Sequence, residues 1–244
     1  PTTLRALWTM LARVRGERRF VAGGTDILVK AKDGKTAPAT WIDLTGVAEL
    51  SGIRETAGRI VIGAATPYTD IIESKLVRRF LPALVEACAE IGSVQIRNMG
   101  TLGGNLANAS PAADGVVPLV AYDAEVVIQR GSSKRVVLAR DVAVGPGRSC
   151  LGPGELITAI QIPKRRRTIA KFLKLGPRAS MAIAKVSLAL VCDTRRGKLS
   201  DVRIALGAVG PTVMRAPHAE AVLEGNAPSR DVLARAEQAI AESD

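Results

Sequence analysis

The chain has 244 residues, a hydrophobic content of 47%, an aromatic content of 3% and a formal charge of +11. Length and apolar content suit one large domain or two modest ones with a proper core, and argue against a disordered chain. No apolar run is long enough to span a bilayer, the opening segment lacks the charged-then-apolar pattern of a secretory signal, and so few aromatics offer no stacking platform for single-stranded nucleic acid.

Leu4, Leu7, Trp8, Leu11 and Val14 fall at helical spacing, which predicts an N-terminal helix capped by Thr2 or Thr3. "RRFVAGG" reads as a short strand ending at a glycine pair, with a helical turn in "TDILVKAK" and a short buried strand in "WIDLT". Alternation around Gly58 predicts a hairpin in "GIRETAGRIVIGAAT". Thr66 as cap and Pro67 in the first turn predict a helix in "TPYTDIIES", and a second helix runs from Pro82 toward Gly92. The stretch from Val94 to Asp114 is so rich in Gly, Asn, Ser and Thr that it predicts loop or very short strand. There follow a short helix in "DGVVPLVAYDA", a hairpin around Gly131 and a strand, "GELITAIQIP", that stops at Pro163. Beyond "KRRR", Lys164 to Arg167, which reads as a solvated linker, come three strands, the last two joined through "RRGK", and two helices beginning at Pro217 and Ser229. The order is α+β, without βαβ alternation. The change of character after Pro163 predicts two domains, residues 1–163 and 164–244.

Two glycine pairs, in "VAGGTDILVK" and "GTLGGNLANASPAAD", are each followed by small polar residues. Glycine lets a ligand approach the main chain, and successive amides in such a turn form a concave anion site. Neither segment is a P-loop or a Rossmann fingerprint, which disfavours simple nucleotide hydrolysis. Two tight turns that need Gly for backbone reasons remain the alternative. Catalytic side chains are scarce. The sole histidine, His218, has no Cys, Asp or second His nearby and reads as a surface residue, and Asp26, Asp114 and Asp123 form no metal-spaced cluster. Cys88, Cys150 and Cys192 are scattered, which argues against a disulfide framework or an iron–sulfur cluster held by this chain and suits reduced thiols in the cytoplasm. A cofactor pocket without acid–base equipment points to electron transfer, where the cofactor supplies the chemistry.

"AGGTD", "IGSVQIRNMGTLGGNLANASPAAD" and "GPGELITAIQIP", with the tail from "KFLKLG" to "AEAVLEG", resemble the FAD-binding (medium) subunit of molybdenum hydroxylases, the group of xanthine dehydrogenase and aerobic carbon monoxide dehydrogenase. The resemblance covers nearly the whole chain. It implies a two-subdomain FAD-binding fold of the vanillyl-alcohol-oxidase type, with FAD in the cleft, followed by a small C-terminal α+β domain with a three-stranded antiparallel sheet. Carried over position by position, Ala22, Gly23, Gly24, Thr25 and Asp26 match the first pyrophosphate loop, and Thr101, Gly103, Gly104 and Asn105 the second. Ser110 and Asp114 match positions on the ribityl, ribose or adenine side. Ile91 matches the residue packed on the flavin ring, Ile157 a backbone contact to the adenine end, and Lys174 a basic residue near the ring.

The same resemblance implies an electron-exit subunit. Electrons would arrive from the 2Fe-2S clusters of a small partner subunit, fed by a molybdopterin-binding large subunit, and leave from FAD to NAD, a quinone or oxygen, in a cytoplasmic complex that is a dimer of heterotrimers. Relative to that family the chain starts a few residues late and stops short of the usual C-terminal helical extension. Two other readings are a scaffold that keeps the fold without the cofactor and, on charge alone, a nucleic-acid-binding protein.

Overall fold

The computed structural model describes residues 1–34, 39–165, 167, 169–178 and 180–242. In chain order it holds α1 (Leu4–Leu11), β1 (Arg18–Val21), α2 (Ile27–Lys32), β2 (Thr40–Asp43), β3 (Ile53–Thr56), β4 (Arg59–Gly63), α3 (Tyr68–Glu73), α4 (Lys75–Phe80), α5 (Pro82–Ala89), α6 (Val94–Met99), α7 (Leu102–Asn108) and α8 (Val116–Ala121). It continues with β5 (Glu125–Arg130), β6 (Ser133–Leu138), β7 (Ala143–Gly145), β8 (Arg148–Ser149), β9 (Leu156–Pro163), β10 (Ile169–Leu175), β11 (Val186–Arg195), β12 (Lys198–Gly207), β13 (Met214–Arg215), α9 (Pro217–Leu223) and α10 (Arg230–Ala241).

The N-terminal lobe is small. Thr3 caps α1 by accepting from the Ala6 amide at 3.1 Å, as the spacing predicted. Leu7 and Leu11 on the buried stripe of α1 pack on Ile42 of β2 and on Leu44, Val47 and Leu50. β1 and β2 run parallel, joined through α2. The second layer is a sheet of order β3-β4-β9-β5-β6 among the described residues. Its buried face, with Ile60, Ile62, Val126, Ile128 and Ile160, packs beneath α3, α5 and α8.

The C-terminal sheet has the order β10-β11-β12-β13 and is antiparallel throughout. Its three long strands match the expectation, and the two-residue β13 adds a short fourth. One face of this sheet carries Ala170, Phe172, Ala189, Val191 and Ala205, and these belong to the same core as Leu84 of α5 and Leu119 of α8. The opposite face carries Ile204 and Leu206, covered by Leu223 of α9 and Val232 of α10. Strand alternation thus buries both faces, one against each helical layer.

Polar contacts reinforce this docking. Glu86 accepts from the Phe172 amide at 2.9 Å and from Lys171 Nζ at 2.7 Å, and Asp123 accepts from Arg203 at 2.8 Å and Arg215 at 2.9 Å.

Four expectations are corrected. The glycine-rich stretch after Val94 is not loop, because Ser93 caps α6 and Thr101 caps α7, each accepting from the third amide on, at 3.3 Å and 3.1 Å. Gly103 and Gly104 sit in the first turn of α7, where amides need partners from outside the helix. Thr66 does not cap α3; Pro67 holds that position, while the Thr66 hydroxyl donates to the Gly52 carbonyl at 3.2 Å. α4 intervenes before α5, capped by Ser74. The basic run is not a solvated linker: Lys164 pairs with Glu55, and both Arg165 and Arg167 pair with Asp193 and Asp201. Arg166 lies outside the described residues. No helix among the described residues is long and apolar enough to cross a membrane.

The shared core makes a cooperative molecule the expectation. Phe172→Ala should lower stability by about 3–5 kcal/mol. Denaturant curves followed by far-UV circular dichroism and by the fluorescence of Trp8 and Trp41 should still coincide, and two separated transitions would count against cooperative unfolding.

Candidate functional site

The turn from β1 to α2 carries Ala22 to Asp26, and the turn from α6 to α7 with the first turn of α7 carries Gly100 to Asn105. They touch through backbone. A Cβ placed on Gly23 would lie 1.7 Å from the Met99 carbonyl oxygen, so this position admits only hydrogen. Gly24 follows with φ +70, which permits the sharp exit into α2. Gly103 turns away from the opening, since its amide donates to the Ala64 carbonyl at 2.9 Å and a Cβ there would lie 2.6 Å from Ala64. Gly104 is exposed and faces the space between the two turns.

That space is a cavity of about 370 Å3, and Ala22, Gly23, Gly24, Thr25, Asp26, Thr101, Gly104 and Asn105 all border it. Of the predicted loop residues only Gly103 does not. The amide-rich β1–α2 turn and the exposed, side-chain-free Gly104 opposite it make this opening suited to an anionic group. Beside it lies a narrower slot of about 110 Å3 that shares Ala22 and Gly104, includes Gly103, and is walled by Phe20, Leu44, Leu156 and Ile157. Its apolar walls suit a flat ring. At its edge Glu155 accepts from Arg135 at 2.8 Å and 2.6 Å and from the Gly152 amide at 2.7 Å. These bonds hold the Glu155 carboxyl at about 2, well below its ordinary value.

Asp114, Lys174 and Ile91 stand on the far side. Lys174 Nζ on β10 donates to Asp114 Oδ2 at 2.6 Å and to the Glu90 carbonyl at 3.2 Å, with side-chain exposures of only 6% for Lys174 and 8% for Asp114. Burial pushes the Asp114 carboxyl up, against the opposing pull of Lys174. Ile91, half-buried at the end of α5, approaches Gly115, the residue after Asp114. Asn105 connects this region to the cradle: a Cβ on Gly115 would lie 2.8 Å from Asn105 Oδ1. A further cavity of about 330 Å3 opens beside Lys174, with Glu90 and Arg178 in its wall. Ser110 is not brought to the cradle. Its hydroxyl accepts from the Ala112 amide at 3.3 Å and orders the turn that leads to Asp114.

The cavity also contains residues that the sequence did not single out. Arg19, Tyr68, Lys30 and Asn108 line it. Lys30 and Asn108 lie within a few residues of the two glycine pairs, so helical spacing from Asp26 and Thr101 could have found them. Tyr68 enters from α3, which only the fold reveals.

Two buried acceptors, Asn105 Oδ1 and Asp114 Oδ1, have no hydrogen-bond partner. Such groups are costly to leave unmatched. They flank the path from the cradle to Lys174, and a ligand bearing hydroxyl or imide donors would satisfy them. An amide-lined anion cradle, an apolar slot on one side and unmatched acceptors on the other fit a dinucleotide with a polyol arm, as FAD has. Among the described residues, no group of three or more His, Cys, Asp or Glu side chains comes together as a metal site, and His218 is exposed.

Comparison with known proteins agrees with this geometry. Residues 1–165 match the FAD binding domain in molybdopterin dehydrogenase, and residues 171–243 match the CO dehydrogenase flavoprotein C-terminal domain. The chain is 34% identical over 215 residues to a putative xanthine dehydrogenase FAD-binding subunit of Escherichia coli (strain K12), covering 87% of this chain and 73% of that protein. It is 31% identical over 242 residues to the carbon monoxide dehydrogenase medium chain of Hydrogenophaga pseudoflava, covering 99% of this chain and 84% of that one. Among solved structures, carbon monoxide dehydrogenase from H. pseudoflava superposes with a TM-score of 0.93 at 32% identity, covering 100% of this chain and 85% of the other. Quinoline 2-oxidoreductase from Pseudomonas putida 86 gives a TM-score of 0.93 at 28% identity, covering 100% and 84%.

The depressed Glu155 acidity has a checkable sign. A carboxyl with a lowered folded value stabilises the protein above its ordinary value of 4.5, and that contribution disappears as pH falls toward about 2. Glu155→Gln should therefore be less stable than wild type at neutral pH. In urea unfolding at a series of pH values, the gap should close on acidification below about 4.5. A gap independent of pH would show that the Arg135 pair contributes nothing through charge.

Proposed function

Because the chain belongs to the family of FAD-binding subunits of molybdopterin dehydrogenases, we propose that it is the electron-exit module of a molybdenum hydroxylase. In this reading it accepts electrons from the 2Fe-2S clusters of a small partner subunit and delivers them to NAD, a quinone or oxygen. A molybdopterin-binding large subunit oxidises the substrate, in a cytoplasmic dimer of heterotrimers. We also propose the division of labour at Pro163: residues 1–163 hold the cofactor and residues 164–244 bring a cation to it.

The observation that carries the reading is the meeting of two glycine turns at one cavity, with buried, unpartnered oxygens beyond it. The amides of Gly23 to Asp26 would hold the diphosphate of FAD, with Thr101, Gly104 and Asn105 forming the facing wall. The slot beside Ile157 would take the adenine. Asp114, through its free Oδ1, would accept from the ribityl or ribose hydroxyls, with Ser110 fixing the turn that presents it. Ile91 would cover the flavin ring, with Lys174 near it. FAD, when bound, supplies the redox chemistry. The residues bind, orient and set the local field; none is required as acid or base, in keeping with the exposed position of His218.

The purified chain should be yellow, show the two visible bands of an oxidised flavin, and release FAD on denaturation. A colourless protein that no added FAD reconstitutes would favour the scaffold reading instead. Substitutions at the glycines separate binding from folding. Gly104→Val places its side chain in the cavity, where its Cβ lies 2.9 Å from Thr101 Oγ1, and should abolish FAD binding at a smaller cost in Tm than a change at Gly23. Gly23→Ala meets the Met99 carbonyl and should lower stability by at least roughly 1–3 kcal/mol, the usual cost of overpacking. Equal effects of the two on Tm would mean that Gly104 serves the fold and not the ligand.

A further inference from the structure

Lys30 stands on α2, one turn after the first glycine pair, and reaches across the opening of the cradle to the end of α7. Its Nζ donates to Asn108 Oδ1 at 2.7 Å. Asn108 is the last residue of α7, the helix that the second glycine pair begins, and the chain turns at Ala109 with φ 51. One hydrogen bond therefore ties together the two helices that the glycine turns start, and it does so at the rim of the cavity that both turns line.

The partner of this lysine is neutral. An amide oxygen orients an ammonium but leaves its charge uncompensated. The charge inventory of the cavity makes that matter. The wall contains one carboxylate, Asp26, and two cations, Arg19 and Lys30. Arg19 already shares its charge with Glu17 at 2.8 Å, although its buried Nε has no partner. Without Lys30 the wall would meet a diphosphate, which carries two negative charges, with no net positive charge of its own. Backbone amides supply hydrogen bonds to such a group, but only side chains supply whole charges.

We propose that Lys30 is the neutralising cation of the diphosphate and that Asn108 is a positioning residue, holding the ammonium over the cradle before the cofactor arrives. The proposal rests on the reading of the cradle as a diphosphate site and adds a residue, with a role, that neither the glycine turns nor the family resemblance indicates. It also makes retention of the cofactor sensitive to salt through one exposed side chain, because an exposed ion contact is screened within about a nanometre at ordinary ionic strength.

The test uses the full chain freed of flavin and titrated with FAD at several salt concentrations, following flavin fluorescence, with ADP and adenosine as competitors. Lys30 is exposed on a helix with no buried residue, so Lys30→Met leaves the core untouched. That variant should weaken FAD and ADP roughly tenfold, the scale of one charge-assisted hydrogen bond. It should leave adenosine unchanged and flatten the dependence of Kd on salt, and Lys30→Arg should restore most of the affinity. Asn108→Ala, which keeps the charge and removes its anchor, should cost less than Lys30→Met; an equal or larger loss would assign the effect to the shape of the opening and overturn the proposal. Unchanged FAD affinity and salt dependence in Lys30→Met would overturn it while leaving the cofactor reading intact. Wild-type protein that binds no FAD would overturn both.

Discussion

Gly23 rests against the Met99 carbonyl with room for a hydrogen and nothing larger, and the site depends on that contact. It sets the distance between the β1–α2 turn and the α6–α7 turn, and hence the width of the cavity between them. The second turn is itself held by backbone. The Tyr68 amide donates to the Gly100 carbonyl at 3.1 Å, Thr101 forms a β-bridge with Pro67, and the Gly103 amide donates to Ala64. Those contacts run into α3 and β4, which belong to the large core through Ile71 and Ile62. The cradle is thus positioned by main chain on main chain. At the contact itself only glycine fits, because a side chain on Gly23 would push the two turns apart.

The far side of the site depends on a different constraint. Lys174 and Asp114 form a pair almost removed from water, in which charge attraction must offset desolvation of both ions. What makes the pair affordable is that neither residue is free to move away. Lys174 sits on β10 two residues after Phe172, which lies in the shared core, and Asp114 sits two residues before Val116, at the start of α8 in the same core. The C-terminal sheet therefore does more than cap the FAD-binding region: its inner face delivers Lys174 to Asp114. A chain with two separate cores would lack a fixed distance between these groups.

Much of this was legible in the sequence where local physics decides. Thr3, Ser229 and Pro82 mark helix starts because capping and proline preference act within one turn. The long strands β11 and β12 show their alternation because each face meets an apolar layer. The misreadings occur where the deciding partner is distant. Gly103 and Gly104 look like loop by composition, yet Thr101 caps them and Ala64, nearly forty positions earlier, accepts from Gly103. Arg165 and Arg167 look like a solvated run until Asp193 and Asp201 fold back beside them. The glycine pairs showed where a cavity would form. They could not show that Tyr68 and Arg19 complete its wall, since membership of a cavity is a property of the tertiary arrangement.

The pairing of Lys174 also changes how its charge acts. A lone ammonium would project a full positive charge toward any ring placed beside it. Bound to Asp114 it projects a dipole, whose positive end lies toward the Glu90 carbonyl and the cavity that Arg178 also borders. A ligand hydroxyl donating to Asp114 Oδ1 withdraws part of the carboxylate's hold and leaves more of the ammonium's charge uncompensated. With FAD placed as proposed, contact at its polyol arm and the field at its ring would in this way be coupled through one buried pair. The coupling needs no movement of either domain, because both partners are already fixed by the core that the two sheets share.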